Sequence, residues 1–448
     1  MMKKIISFFK KNKCYFFFFL FCLVMEYFII YMDYGFDATW EYGMSHAITK
    51  GLLPYTDFNT VTTPFFIFLF SIGLFIKDSF FVFLLEFCIA YTIMFYFLYK
   101  LLGNKTIYIF LGMSIFLFRG FIPSYNALSF ILIVIIMYFE NNKSSDLLIG
   151  VLLGLLILTK HTIGIPIFIL ACIGTFDFNK IKNRLIGASV PIILFIIYLL
   201  ISNSFYEFFD LCFLGLFDFG SKNIVSFSPT YIIAIILFII SIIGLIKNRK
   251  DILFYYALGS IMFIIPICDI SHCTYYLSIV LIAFLNKYNF NLKYFPYALF
   301  ITFLVCNIYI RLNYYKKAVY SNFNHYNYTL TYKDGIKYTN RVLNKVKSYD
   351  NYVIISYKGM YFDIISDYDI SYFDIPLYGN YGYNGTSKMM DRVKNMHDYY
   401  FLIDMNKYKK IKNKEIINEQ LDVDLINYII NNSDRVDAVE DLVVYYKK

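Results

Sequence analysis

Apolar blocks fill the first 310 residues, recurring at roughly 14–32, 63–76, 79–99, 106–118, 126–139, 146–158, 161–176, 185–202, 230–247, 252–268, 274–287 and 294–310. Several reach or approach the roughly 20 residues that a helix needs to cross a hydrocarbon layer about 30 Å thick. The pattern predicts an α-helical polytopic membrane protein. From about residue 311 the blocks give way to Lys, Asn, Asp and Tyr with shorter periodic stretches. There the spacing predicts helix over 336–346, strand over 352–356, helix over 387–396, strand over 399–403, helix near 421–430 and a last strand at 442–446. Alternating helices and strands imply a small α/β layer. The chain thus divides into a transmembrane module, 1–310, with an outer loop at 33–62, and a soluble α/β domain, 311–448.

The polar connectors set the topology. Lys and Arg collect in short cytoplasmic connectors, and here they mark the N-terminus (Lys3, Lys4, Lys10, Lys11, Lys13), 100–105, Lys143, 180–184 and 247–250. All of these share one side only if the run 63–76 does not cross. That run is short, opens with Thr63-Pro64 and reads as an interfacial or re-entrant helix after the first outer loop. About 11 transmembrane helices remain. The N-terminus is then cytoplasmic and the C-terminal domain extracytoplasmic, in a multi-pass protein of the cell membrane. The first run lacks a small-residue cleavage site, so it reads as an uncleaved span.

Composition agrees, at 59% hydrophobic, 21% aromatic and 16% charged, which no ordinary soluble core absorbs. The net charge of +9 sits mostly in connector and tail lysines, and no base-reading motif accompanies it, so nucleic acid is not an expected partner. Most of the 8 cysteines lie in apolar segments, the last being Cys306, against a disulfide framework or a CxxC zinc site.

Candidate chemistry falls on the outer face. The first loop reads DYGFDATWEYGMSHAITKGLLPYTDFNTVTTP. On a helix, Asp37 and Glu41 share a face, and a turn at 51–57 brings Tyr55 and Asp57 back toward the bilayer. A carboxylate there can take a proton from an acceptor hydroxyl; the other reading is an acidic connector with Trp40 at headgroup level. The turn with Arg119, Ser124, Tyr125 and Asn126 is either cavity lining or a plain interfacial turn. Lys160 within apolar surroundings needs a partner: a lipid phosphate, or headgroups reached by snorkelling. Its neighbour His161 is a ligand or a packing histidine. His272, between Asp269 and Tyr275-Tyr276, suits phosphate, a helix cap, or a divalent metal shared with a carboxylate such as Glu41. His46, His325 and His397 read as surface or packing residues. The stretch 379–386 lacks phosphate-loop and dinucleotide patterns and reads as an aromatic loop able to contact a sugar acceptor.

The first loop resembles that of polyprenyl-phosphate-dependent glycosyltransferases of the GT-C fold, such as protein O-mannosyltransferases and aminoarabinose transferases. The matching elements are Asp37, Ala47, Gly51, Pro54-Tyr55-x-Asp57-Phe58 and Pro64. The family's Asp-Glu pair is Asp37-Ala38 here, with Glu41 following, and its paired prolines are Thr63-Pro64. The resemblance implies an inverting transfer of a sugar from a polyprenyl-phosphate donor to an acceptor hydroxyl outside the membrane, with Asp37 as general base. Glu41, Asp57, Tyr55, Arg119, Asn126, Lys160, His161 and His272 are the implied binding residues. No cofactor is firmly implied, with a divalent metal at Glu41 and His272 the candidate. Expected partners are the donor, an envelope glycan, lipid or protein acceptor, and membrane lipids. Two other classes stand beside this: a ligase or polymerase of lipid-linked glycans, with Glu207, Asp210, Asp218 and Lys222 of the loop 203–229, and a transporter or flippase.

Overall fold

The apolar runs close into helices, because a backbone surrounded by apolar side chains has only its own groups to bond with. The computed structural model describes residues 13–32, 36–115, 123–222, 230–265, 268, 270–288, 332–356, 379–413 and 422–448. They are mostly helical, with a small C-terminal sheet. The chain divides into two compact units, one of Met1–Ile30, Phe81–Leu194 and Phe227–Asn327, the other of Tyr31–Phe80, Phe195–Ser226 and Tyr328–Lys448.

Among the described residues, three helical stretches are long and apolar enough to cross a membrane: Phe80–Phe110, Phe178–Ile201 and Thr230–Lys247. The first is not a straight rod. The helix Phe80–Leu102 ends in a turn at Gly103 (φ 60°), and the helix Thr106–Ile115 folds back, setting the Phe110 ring 5.1 Å from Phe95. A left-handed φ suits glycine, which has no Cβ to clash. The helix Phe80–Leu102 alone has 23 residues, enough for a span. The helices Tyr125–Asn141, Asp146–Thr159 and His161–Thr175 are shorter.

These helices wear their large apolar side chains outward. Leu194, Leu200 and Ile201 are exposed on Phe178–Ile201, as are Ile232, Ile235, Ile239 and Ile246 on Thr230–Lys247. Inward they present Ala188, Ala234, Ser241 and Gly244. Water would not tolerate so large an apolar surface, whereas lipid does, and helices in lipid pack through small residues. The protein is therefore membrane-associated.

The run 63–76 forms only a seven-residue helix, Phe65–Ser71, followed by turns. At about 10 Å it is too short to cross. Ile72, Phe75 and Ile76 stand exposed at its end.

Within the first unit the connectors sort by charge. Lys105 donates to the carbonyls of Leu285 and Tyr288. Asn286 meets Asn141, Asn248 meets Tyr288, and Lys287 lies 3.6 Å from Asp251. Arg184 reaches Glu140 and Asp146. Among the described residues, the basic connectors at 100–105, 143, 180–184 and 247–250 thus lie at one end of this unit, while Asn126, Lys160 and His272 meet at the other; the N-terminal lysines Lys3, Lys4, Lys10 and Lys11 lie outside the described residues.

The helices Asp146–Thr159 and Phe178–Ile201 touch backbone to backbone. A Cβ on Gly150 would lie 2.3 Å from the Arg184 carbonyl oxygen, and one on Gly187 2.2 Å from that of Leu147. Because backbone cannot step aside as a side chain can, Gly150→Leu is expected to lower stability by about 3 kcal/mol or more. Thermal unfolding in detergent checks this, with Leu148→Val, at an exposed site on the same helix, leaving the midpoint unchanged.

In the second unit the sheet comprises β1 (Tyr352–Ile355), β2 (Tyr399–Asp404), β3 (Asp434–Val439) and β4 (Leu442–Lys447), in the order β1-β2-β4-β3. β1 runs parallel to β2, and the other pairs are antiparallel. Val353, Ile355, Phe401 and Ile403 pack on one face against the helices Gly385–Asn395 and Val423–Asn431. Ile354, Leu402 and Val444 pack on the other against Tyr338, Val342 and Val346 of the helix Tyr332–Val346. The strand β3 and the helix Met405–Lys412 were not among the expected elements.

Candidate functional site

Lys160 is the tip of a helical hairpin. It holds extended backbone (φ −152°, ψ 98°) between the helices Asp146–Thr159 and His161–Thr175, closing one and opening the other. Gly164 permits this, since a Cβ there would lie 2.5 Å from the Ile157 Cα. Asn126 sits in the first turn of Tyr125–Asn141, whose start is capped by the Ser124 hydroxyl accepting from the Ala127 amide at 3.1 Å. His272 lies in the first turn of Ile270–Lys287.

The three side chains form one chain of bonds. Lys160 Nζ donates to Asn126 Oδ1 at 2.7 Å, and Asn126 Nδ2 lies 3.2 Å from His272 Nε2. An ammonium can only donate, so the Asn126 oxygen faces Lys160 and its amide nitrogen faces His272. Nε2 therefore accepts, and the imidazole proton sits on Nδ1. Lys160 Nζ also stands 5.0 Å from the centre of the Tyr125 ring, a cation–π distance. Helices beginning at Tyr125, His161 and Ile270 direct their positive dipole ends toward this cluster. One ammonium with three helix N-termini makes a setting for an anion. His161, next along, is buried.

The first loop belongs to the other unit. Asp37 occupies the first turn of the helix Phe36–Thr49, with Glu41 one turn later and fully buried. The 51–58 turn holds Tyr55 at φ 70°. Its phenol donates to the Thr62 carbonyl at 2.7 Å, and burial pushes its pKa well above the usual tyrosine value. Asp57 accepts from the Leu53 amide at 2.7 Å. Both residues thus close the turn. Arg119 and Asp269 lie outside the described residues. Among the described residues no group of three or more His, Cys, Asp and Glu side chains could hold a metal ion.

Several charged contacts were not foreseen. His46, expected at the surface or in packing, takes the second place: it is buried with its ring stacked on Tyr42, and its Nδ1 lies 2.6 Å from Asp78. Asp210 is buried against the 379–386 loop: its carboxylate takes the Lys388 ammonium and the Tyr383 amide. Gly382 lies so close that a Cβ would fall 1.9 Å from Asp210 Oδ2. The expected loop 203–229 is helical over Phe205–Phe209, Asp210–Leu214 and Gly215–Lys222, and the pairing of Asp210 there with a lysine 178 residues away leaves no local trace in sequence.

No family model matches this chain, and neither do curated proteins or solved structures.

Proposed function

We propose that the chain is a multi-pass membrane glycosyltransferase that moves a sugar from a polyprenyl-phosphate donor to an acceptor hydroxyl on the outer face. The observation that carries this reading is the Lys160–Asn126–His272 chain, a cationic cluster built at three helix starts among apolar helices. Its chemistry suits the phosphate of a lipid. The opposite end of the same unit collects the basic connectors, and by the positive-inside rule that end faces the cytoplasm. The cluster then faces outward, where nucleotide sugars are absent and a lipid-linked sugar is the natural donor. About eleven spans satisfy this topology, with Phe65–Ser71 at the outer interface and the C-terminal sheet outside.

In this reaction the acceptor oxygen attacks the anomeric carbon as polyprenyl phosphate departs, inverting that centre. Asp37, by the resemblance of its loop, removes the acceptor proton. Lys160 offsets charge growing on the departing phosphate, and His272 adjoins it through Asn126. Asp210 is engaged by Lys388 and Tyr383, which weakens the ligase alternative built on that loop.

The test is transfer from labelled polyprenyl-phosphate sugars to envelope acceptors by the purified protein. Asp37→Asn is expected to slow transfer about 10²–10⁴-fold. Unimpaired transfer by that variant removes the base assignment. Wild type that transfers from no donor overturns the enzyme reading and favours a transporter.

A further inference from the structure

Next to His272 lie two thiols that the proposed transfer reaction does not use. Cys268 precedes the helix Ile270–Lys287 and Cys273 sits in its first turn; their Sγ atoms are 3.6 Å apart. Both residues are buried, at 5% and 3% exposure. The Thr230 side chain donates to the Cys268 carbonyl, and Cys273 Sγ lies 3.7 Å from the Thr230 carbonyl oxygen. One residue at the start of a neighbouring helix thus touches both cysteines.

We propose that Cys268 and Cys273 are a modification site, joined in the native membrane by an intrachain disulfide. The inference rests on the outward assignment of this end, since disulfides persist in oxidising compartments. The sulfurs already lie 3.6 Å apart, and the bond shortens that contact to about 2.05 Å. Chemically, one cysteine thiolate attacks the disulfide of an oxidant, such as oxidised glutathione or a dithiol oxidoreductase, and expels a thiolate. The second cysteine thiolate then attacks the mixed disulfide and expels the other. Two protein thiols lose two protons and two electrons, and the donor disulfide is reduced. The bond ties Cys268 to the first turn of the helix that carries His272, the partner of Asn126.

Both cysteines fall on one tryptic peptide, 251–287. Cells are quenched in acid, and the full chain is alkylated in denaturant without reductant and mapped by mass spectrometry. The expected result is a peptide without label, two hydrogens lighter than its reduced form, which takes two labels after dithiothreitol. Cys268→Ser is expected to restore a single label on Cys273, showing that the lost labels belong to this bond. If the peptide from cells carries both labels but loses them once the purified folded chain meets oxidised glutathione, the pair is competent but faces a reducing side. That outcome overturns the inference together with the outward topology. Labelling in both experiments overturns the geometry alone and leaves the topology standing.

Discussion

Replacing Arg184 with Met is expected to destabilise the folded chain by about 3–5 kcal/mol, the cost of stripping a buried ion pair of one partner. Arg184 is 2% exposed and fully engaged. Its Nη2 donates to Glu140 at 2.8 Å, Nε to Asp146 at 2.9 Å and Nη1 to the Ala171 carbonyl at 3.0 Å. Tyr256 donates to the other Glu140 oxygen at 2.8 Å. The guanidinium thus ties four helices at the basic end of the unit, using a planar fork that a lysine lacks. Arg184→Lys is expected to fall between wild type and Met. In the Met variant the Glu140 carboxylate stays buried with only a phenol to bond, and that stranded charge is the main loss. Adding Glu140→Gln removes the charge and is expected to recover much of the stability, because Asp146 is 19% exposed and can turn to water. Thermal unfolding in detergent measures all four proteins. A double variant no more stable than Arg184→Met would locate the loss in packing instead.

That network was the part of the fold least legible in sequence, although its members were visible. Lys180, Lys182 and Arg184 look alike as topology signals, and nothing local separates the one buried cation from its solvated neighbours. The difference lies in the partners that the fold brings to Arg184, namely Glu140, Asp146 and the Ala171 carbonyl, all distant in sequence. The helices themselves were legible, because an uncharged run has one way to satisfy its backbone. Their boundaries were clear where a polar connector interrupts the run, as at Asn141 and Lys160. In the C-terminal region the strands β1, β2 and β4 stand out as apolar stretches. β3 does not: Asp434 and Arg435 face solvent on an edge strand, Asp437 takes the Tyr349 hydroxyl and the Lys345 ammonium, and a register shift between Arg435 and Asp437 breaks its alternation. The candidate residues divide similarly. Lys160 stands out as a charge in apolar surroundings, Asn126 as part of a polar turn and His272 by its place at the start of a late span, and the fold brings the three together. Tyr55 and Asp57 were picked out by motif, and their hydrogen bonds to Thr62 and Leu53 serve the turn.

On the proposed transfer reading, Lys160→Met is expected to slow the reaction about 10²–10³-fold, the range for removing one preorganised group that stabilises transition-state charge. The reason lies in how the ammonium is held. Asn126 at 2.7 Å and the Tyr125 ring at 5.0 Å fix its position before any ligand arrives, so little is lost in reorganisation when charge grows on a departing phosphate. A lysine that merely snorkels to headgroups would instead leave transfer within a few-fold of wild type. Asn126→Leu separates tether from charge. It keeps the ammonium but removes one of the groups that hold it, along with the contact to His272 Nε2, so a loss of about tenfold is expected, near the cost of one hydrogen bond. Lys160→Met in that background should then remove less than it does alone, because the two residues act as a unit. Transfer assays on the single and double variants measure that coupling, and strictly multiplicative losses would show that Lys160 and Asn126 act independently.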